Sequence, residues 1–207
     1  AQEIQQNVDT QAARRVYDSP SKGVLWGWEV PAYVWTKAIA TGTFLMMAVW
    51  HFFNGGLESS SEMVGLITTL VFMGLTGGLL VKDIDRPDRF LYVLLRPQWK
   101  SWLVRGAYII TSFGGFVSLK LLDNYLQLGL DWLWIPGLVF AGLGAVYTAF
   151  LFNQARARDL WQTPIQSAIH MLVHAIMAGS VVMMIIAPES IQWMANILFW
   201  GIVANMI

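Results

Sequence analysis

Six runs of predominantly apolar residues, each about 20 residues long, occupy most of this sequence. A segment of that length can cross the hydrocarbon core of a bilayer as a helix, and a helix satisfies its own backbone polar groups where no water can do so. The chain is therefore predicted to be an all-α integral membrane protein, a bundle of about six transmembrane helices. The predicted spans are residues 31–53, 62–82, 101–121, 132–153, 164–187 and 191–207.

Composition supports this prediction and excludes several classes of protein. The chain is 56% hydrophobic and only 13% charged, which is too apolar for a soluble domain of 207 residues. Its formal net charge is zero and it has no block of like charge, so a nucleic-acid partner is not expected. It contains no cysteine, so any iron–sulfur cluster must be held by a partner protein.

The polar part of the chain divides it into a tail and a bundle. Residues 1–24 are polar and of mixed charge, without the apolar core of a secretory signal, and are interpreted as a tail preceding the transmembrane bundle of residues 25–207. All but two of the 13 lysine and arginine residues lie in this tail, between Lys82 at the end of span 2 and Arg105 at the start of span 3, or in the connection between spans 4 and 5. We call the membrane face with these segments the basic face. The positive-inside rule predicts that it is cytoplasmic.

The densest group of charges is KDIDRPDRF, residues 82–90, in which six of nine side chains are charged. It lies between spans 2 and 3 and continues as LYVLLRPQWKSWLVRGA. A simple interfacial turn is one interpretation, with the arginines near lipid headgroups and the aspartates paired to them. The length of the segment favours a second interpretation, in which it holds or contacts another molecule.

The segment DIDRPDRFLYVLLRPQWKSWLVRGAY is similar to a pattern of the NrfD-like family, the quinone-interacting membrane subunits of polysulfide reductase and its relatives. That pattern is Asp-Leu-Gly-Arg-Pro-x-Arg followed by Pro and by Ser-Trp-Leu-x-x-Gly-Ala. Asp85 replaces its usual glycine. The stretch WGWEVPAYVW, residues 26–35, also resembles this family, including its branch in alternative complex III. Members usually have eight or more spans, so the resemblance implies that these six could be part of a larger bundle.

The resemblance implies a function in electron transfer. It implies a quinone, menaquinone or ubiquinone, as cofactor, with no haem or metal bound by this chain. The implied partners are an iron–sulfur, ferredoxin-like subunit and a catalytic or cytochrome subunit of the same complex, in a prokaryotic cytoplasmic (inner) membrane. In several family members the docking face is periplasmic, opposite to the orientation that the positive charges predict. By this match the partner-docking candidates are Asp85, Arg86, Asp88 and Arg96, and the quinone-binding candidates include Glu29, Tyr33, Asp83 and Arg89.

Ionisable residues inside the spans point to the same chemistry. Lys37 and His170 each lie six residues, about 9 Å, beyond the proline that begins their span, so they share one depth below the basic face. If spans 1 and 5 are neighbours, Glu29, Tyr33, Lys37 and His170 could converge there. Quinone chemistry moves two protons with two electrons, and histidine titrates near neutral pH. Lys37 and His170 are therefore quinone-binding candidates.

A proton path is the second role that these residues suggest. His174 lies one turn deeper than His170 on the same face, so Lys37, His170 and His174 are proton-path candidates. The alternatives are that Lys37 snorkels to the interface and that His170 satisfies a neighbouring carbonyl.

Haem and zinc are not expected. His170 and His174 share one helix face and cannot bind one iron from opposite sides, and His51 lies near the far interface, about 15 Å away along the bilayer normal. No third good ligand for zinc lies nearby. Two alternatives to the quinone-binding subunit stay open: a passive membrane anchor for a redox complex, and a small transporter lined by Lys37 and the histidine pair. A transporter is expected to show repeats or broken helices, and the sequence has no such pattern.

Overall fold

The computed structural model describes residues 27–83, 95, 97–154 and 163–206, without the side chain of Asp83, and this part of the chain contains helices and no strands. The prediction of an all-α membrane protein is confirmed. The helices are α1 (Glu29–Asn54), α2 (Ser59–Asp83), α3 (Trp102–Leu126), α4 (Trp134–Gln154), α5 (Pro164–Ile186) and α6 (Ile191–Asn205). One short 3-10 turn, Asp131–Leu133, precedes α4 and another, Pro188–Ser190, precedes α6.

Five of the six described helices, α1 to α5, are long and apolar enough to cross a membrane. Helix α6 has 15 residues, a length of about 22 Å, which is shorter than the hydrocarbon core. The sixth predicted span, 191–207, therefore stays a prediction. The tail of residues 1–24 lies outside the described residues.

Helix α1 is the central element of the bundle. Within its most apolar stretch 72% of residues are buried, against 28–44% for α2 to α5. It packs against α2, α4 and α5. Its contact with α5 is a backbone contact, because a Cβ atom added at Gly42 would lie 1.8 Å from the carbonyl oxygen of Ala175. Small residues on both helices allow this approach, as in other membrane helix pairs.

Two apolar clusters form the core, one toward each end of α1. The cluster near the start of α1 contains Tyr33 and Phe152 and is built from α1, α2, α4 and α5. The larger cluster contains Phe44, Phe113 and Trp134 and extends to the far end of the bundle. Lys37 lies on α1 between Tyr33 and Phe44. The core therefore surrounds a lysine with apolar packing on both sides.

Candidate functional site

The ammonium group of Lys37 is enclosed by helix α4. The residue is 1% exposed. Its Nζ atom donates hydrogen bonds to the carbonyl oxygen of Ala145, at 3.1 Å, and to the hydroxyl of Thr148. The same atom lies 4.8 Å from the centre of the Tyr147 ring, within the range of a cation–π contact. The alternative that Lys37 snorkels to the interface is therefore wrong.

The partners of Lys37 are neutral. No carboxylate of the described residues lies within salt-bridge distance of it, whereas the second buried lysine, Lys120, has three. Lys120 contacts Asp123 at 2.7 Å, Glu62 at 3.5 Å and Asp131 at 3.7 Å. The two lysines thus occupy opposite environments: Lys120 is neutralised by acids, and Lys37 is solvated by dipoles and an aromatic face.

A glycine on α3 shapes this site. Gly106 packs against Tyr147, and a Cβ atom added to Gly106 would lie 2.3 Å from the ring. Gly106 is the glycine of the SWLVRGA segment, so the packing gives a physical reason for a glycine at that point. The Tyr147 hydroxyl is buried and has no hydrogen-bond partner of good geometry among the described residues, although Thr148 lies beside it.

Tyr147 and Thr148 were not among the residues predicted from the sequence. A signal for them exists, since adjacent Tyr and Thr in an otherwise apolar span bring two hydroxyls to bilayer depth. Their direction toward α1 depends on how α4 is rotated in the bundle, which the pattern does not specify.

Two predicted residues share the face of α1 that carries Lys37. Glu29, Tyr33 and Lys37 follow one another at four-residue spacing, which places them one turn apart on one side of the helix. Tyr33 is 2% exposed. Glu29 forms an ion pair with Lys82 of α2, at 3.4 Å, and the Lys82 ammonium also lies 4.3 Å from the ring centre of Trp28. The start of α1 is thus joined to the end of α2.

The remaining candidates near the basic face cannot be placed. The side chain of Asp83 and the residues Asp85, Arg86, Asp88, Arg89 and Arg96 lie outside the described part of the chain. Their quinone-binding and docking roles stay predictions.

The histidine pair lies on the opposite side of α5 from α1. Helices α1 and α5 are neighbours, as the convergence of Lys37 with His170 required. However, α5 presents Ala175 and Gly179 to α1, and the helical period places His170 and His174 on its other face, where both are exposed. The expected convergence of His170 with Lys37 is therefore not what the helix packing produces.

The surroundings of the two histidines are accessible from the outside of the bundle. Their ring centres are 4.2 Å apart, and the His174 side chain lies beside Asn205 of α6. A mainly apolar surface concavity of about 440 Å³ lies one turn before His170, lined by Thr163, Pro164, Ile165, Gln166 and Ile169.

His51 occupies the far end of α1. Its ring stacks on Trp134, with centres 5.1 Å apart, and its buried Nδ1 atom has no hydrogen-bond partner among the described residues. Among all the described residues, no group of three His, Cys, Asp or Glu side chains is placed to hold a metal ion.

Comparison with known proteins identifies the relationship that the motifs suggested. A family model described as polysulphide reductase, NrfD, matches residues 18–192, most of the chain. The resemblance found in residues 26–35 and 83–108 is therefore confirmed. No curated protein and no solved structure gives a significant match.

Proposed function

Because this chain belongs to the polysulphide reductase NrfD family, whose members are membrane subunits of quinone-linked oxidoreductase complexes, we propose that it binds the quinone itself. In this proposal it exchanges electrons between a membrane quinone, menaquinone or ubiquinone, and an iron–sulfur partner. The catalytic or cytochrome subunit of the complex is a further partner, so the chain is not catalytic alone. The proposed location is a prokaryotic inner membrane.

The observation that supports this function best is the enclosed Lys37 ammonium. An ionisable side chain at bilayer depth is costly and is therefore a functional-site hypothesis by default. Ala145 and Thr148 accept hydrogen bonds from the Lys37 nitrogen, and no carboxylate of the described residues pairs with it, so a ligand oxygen can compete with Thr148 for this donor. A quinone takes up or releases two electrons with two protons, and negative charge developing on its oxygens is stabilised by preorganised donors of this kind.

The neighbouring residues have distinct proposed roles. Lys37 and Thr148 donate to a quinone oxygen, and the Tyr147 hydroxyl is a further donor in reach of the same space. Tyr33 and Glu29 connect this point to the basic face. Because Lys37 is enclosed by α4, the head group has to enter between α1 and α4 and displace the bond to Thr148.

The residues outside this enclosure keep their proposed roles. Asp83 and Arg89 contact the quinone from the connection between α2 and α3, and the docking charges of that connection meet the iron–sulfur subunit. A proton-path role for His170 and His174, which are exposed on the side of α5 away from α1, requires a partner subunit that covers this side.

A passive membrane anchor is the second candidate function, and one observation favours it. The Lys37 ammonium is already satisfied by its three contacts on α4, so the site is complete without a ligand. An anchor would dock the redox partner while quinone reacts elsewhere in the complex.

Substitution of Lys37 in the purified complex separates the two functions. Lys37→Met preserves most of the side-chain volume and removes the charge, so quinol-linked turnover should be lost while the complex assembles and its partner still reduces a soluble dye. Lys100→Met is the matched control, because Lys100 is an exposed lysine of the basic face. His170→Gln should also lower turnover. Unchanged turnover in both Lys37→Met and His170→Gln would favour the anchor, and purification without any iron–sulfur protein would favour a transporter.

A further inference from the structure

Three side chains at seven-residue spacing divide α1 into layers. Lys37, Phe44 and His51 lie two turns apart on nearly the same face, so each step is about 10 Å along the helix. The first layer is the enclosed lysine. The third is the far end of the bundle, where Lys120 meets three acids.

Three aromatic side chains pack together in the middle layer. Phe44 and Phe113 are fully buried and pack edge to face, with ring centres 5.3 Å apart. Trp134, which is 1% exposed, packs on Phe44 with ring centres 5.1 Å apart. Gly137 of α4 makes room for the Phe44 ring, because a Cβ atom there would lie 2.5 Å from it. We call Phe44, Phe113 and Trp134 the aromatic layer.

The far side of the aromatic layer is polar. The Lys120 ammonium lies 5.1 Å from the Trp134 ring centre and is paired with Asp123 and Glu62. Asp131 extends this ionic network outward, since its side chain is 71% exposed. Trp134 therefore contacts Phe44 on its inner side. On its outer side it contacts the Lys120 ammonium, which is connected to water through the exposed Asp131.

On the near side of the layer, one face of α1 carries a protonatable side chain at each turn, although apolar side chains of the other helices pack around it. From the basic face inward these are Glu29, Tyr33 and Lys37. This series of side chains ends at Lys37. One turn further along α1, the Thr41 hydroxyl donates its hydrogen bond back to the carbonyl oxygen of Lys37, at 2.8 Å, and the next side chain on this face is Phe44. Proton transfer needs hydrogen-bonded groups or water. The close-packed layer supplies neither, because Phe44 and Phe113 carry no polar side-chain atom and the buried Nε1 atom of Trp134 has no hydrogen-bond partner among the described residues.

We propose that the aromatic layer separates two polar compartments, so that protons exchanged at Lys37 pass through Tyr33 and Glu29 to the basic face and not to the far end. The claim that quinone chemistry consumes or releases these protons rests on the proposed function. The claim that the aromatic layer blocks protons does not rest on it. For each quinone reduced to quinol, two electrons come from the iron–sulfur partner and two protons come from the water at the basic face. Oxidation of a quinol reverses both flows, with two protons released to the same face.

The barrier is tested by proton flux into vesicles, without quinone or a partner protein. The purified full chain is reconstituted around a pH-sensitive dye, and a potassium diffusion potential drives protons across the membrane. Vesicles with the unchanged chain should be as tight as protein-free vesicles. Phe44→Ser should raise the flux several-fold, because a smaller and polar side chain lets water occupy the gap.

Two control variants isolate the effect of the layer. Phe44→Leu keeps an apolar side chain in the same place and should stay tight. Phe152→Ser removes a buried ring from the cluster on the other side of Lys37, so it should also stay tight. If Phe44→Ser does not give a monodisperse protein, Phe113→Ser breaches the same layer from α3.

The route to the basic face is tested in the leaking background. Adding Tyr33→Phe to Phe44→Ser should reduce the flux severalfold, whereas adding Tyr125→Phe, at an exposed tyrosine, should not change it. A leak in the unchanged chain, a monodisperse Phe44→Ser as tight as Phe44→Leu, or a Tyr33→Phe double variant that leaks unchanged would overturn the inference. Lys37→Met turnover in the complex reports separately on the quinone site.

Discussion

The backbone contact between α1 and α5 gives a quantitative prediction for Gly179→Ala. An alanine Cβ there would lie 2.0 Å from the carbonyl oxygen of Gly42 and 2.2 Å from its carbon, whereas ordinary contacts begin at 3.4 Å. Both atoms belong to the backbone, so they cannot rotate away as a flexible side chain would. Helix α1 must instead move away from α5 by more than an ångström.

The expected net loss of stability follows from two opposing effects. Overpacking a close contact costs about 1–3 kcal/mol, and the rigid backbone places this contact at the upper end of that range. Replacing glycine by alanine inside a helix returns about 1 kcal/mol. Gly179→Ala should therefore destabilise the fold by about 2 kcal/mol, which corresponds to a decrease in Tm of about 5 °C for a chain of this size.

Gly74→Ala is the matched control, since nothing lies within 4 Å of a Cβ atom added to Gly74. The assay is thermal unfolding of both variants in the same detergent at the same scan rate, with circular dichroism as the probe of helix content. Gly74→Ala should keep or raise Tm. Equal Tm values for the two variants would refute the argument that α1 and α5 are in backbone contact.

Two further predictions concern the buried lysines. Gly106→Ala should lower quinol-linked turnover of the complex without preventing assembly, because the added methyl group displaces the Tyr147 ring from Lys37; turnover equal to that of the unchanged complex would contradict this. Lys120→Met should destabilise the fold by about 3–5 kcal/mol, because it leaves Asp123 buried without its counter-ion, and unfolding in detergent measures this. Lys100→Met, at an exposed lysine, should change the free energy of unfolding by less than about 0.5 kcal/mol. Equal losses of stability in Lys120→Met and Lys100→Met would contradict the argument that the burial of Lys120 and its acids causes the larger loss.

The helices were predictable because one physical constraint dominates them. In lipid a run of about 20 apolar residues has to be helical, whatever its neighbours are. The five helices that the structure shows to be long enough, α1 to α5, begin and end within a few residues of the predicted spans. The centre of the bundle was not predictable, because α1 is less hydropathic than α2 or α5 and is buried through small residues such as Gly42.

The residue pattern predicted a depth for the candidate site but no direction around the helix axis. Counting residues from the first-turn prolines predicted a common depth for Lys37 and His170, since the rise per residue of a helix is fixed. The rotation of each helix is set by packing with its neighbours. Packing turns Lys37 toward Tyr147 and Thr148 on α4 and leaves His170 outside.

The acids around Lys120 were not predicted for a related reason. Glu62, Asp123 and Asp131 lie at or near helix ends in the sequence, where charges are normally solvated. Only the assembled bundle brings them around Lys120.

The central claim, that a quinone binds beside Lys37, is tested most directly by photoaffinity labelling of the intact complex with an azido-quinone. Mass spectrometry of the peptides then locates the label. We expect label on α1 and α4 around Lys37 and Tyr147, displaced by excess quinone and lost in Lys37→Met. Displaceable label that is confined to α5 around His170 or to a partner subunit, with none on α1 or α4, would contradict the claim.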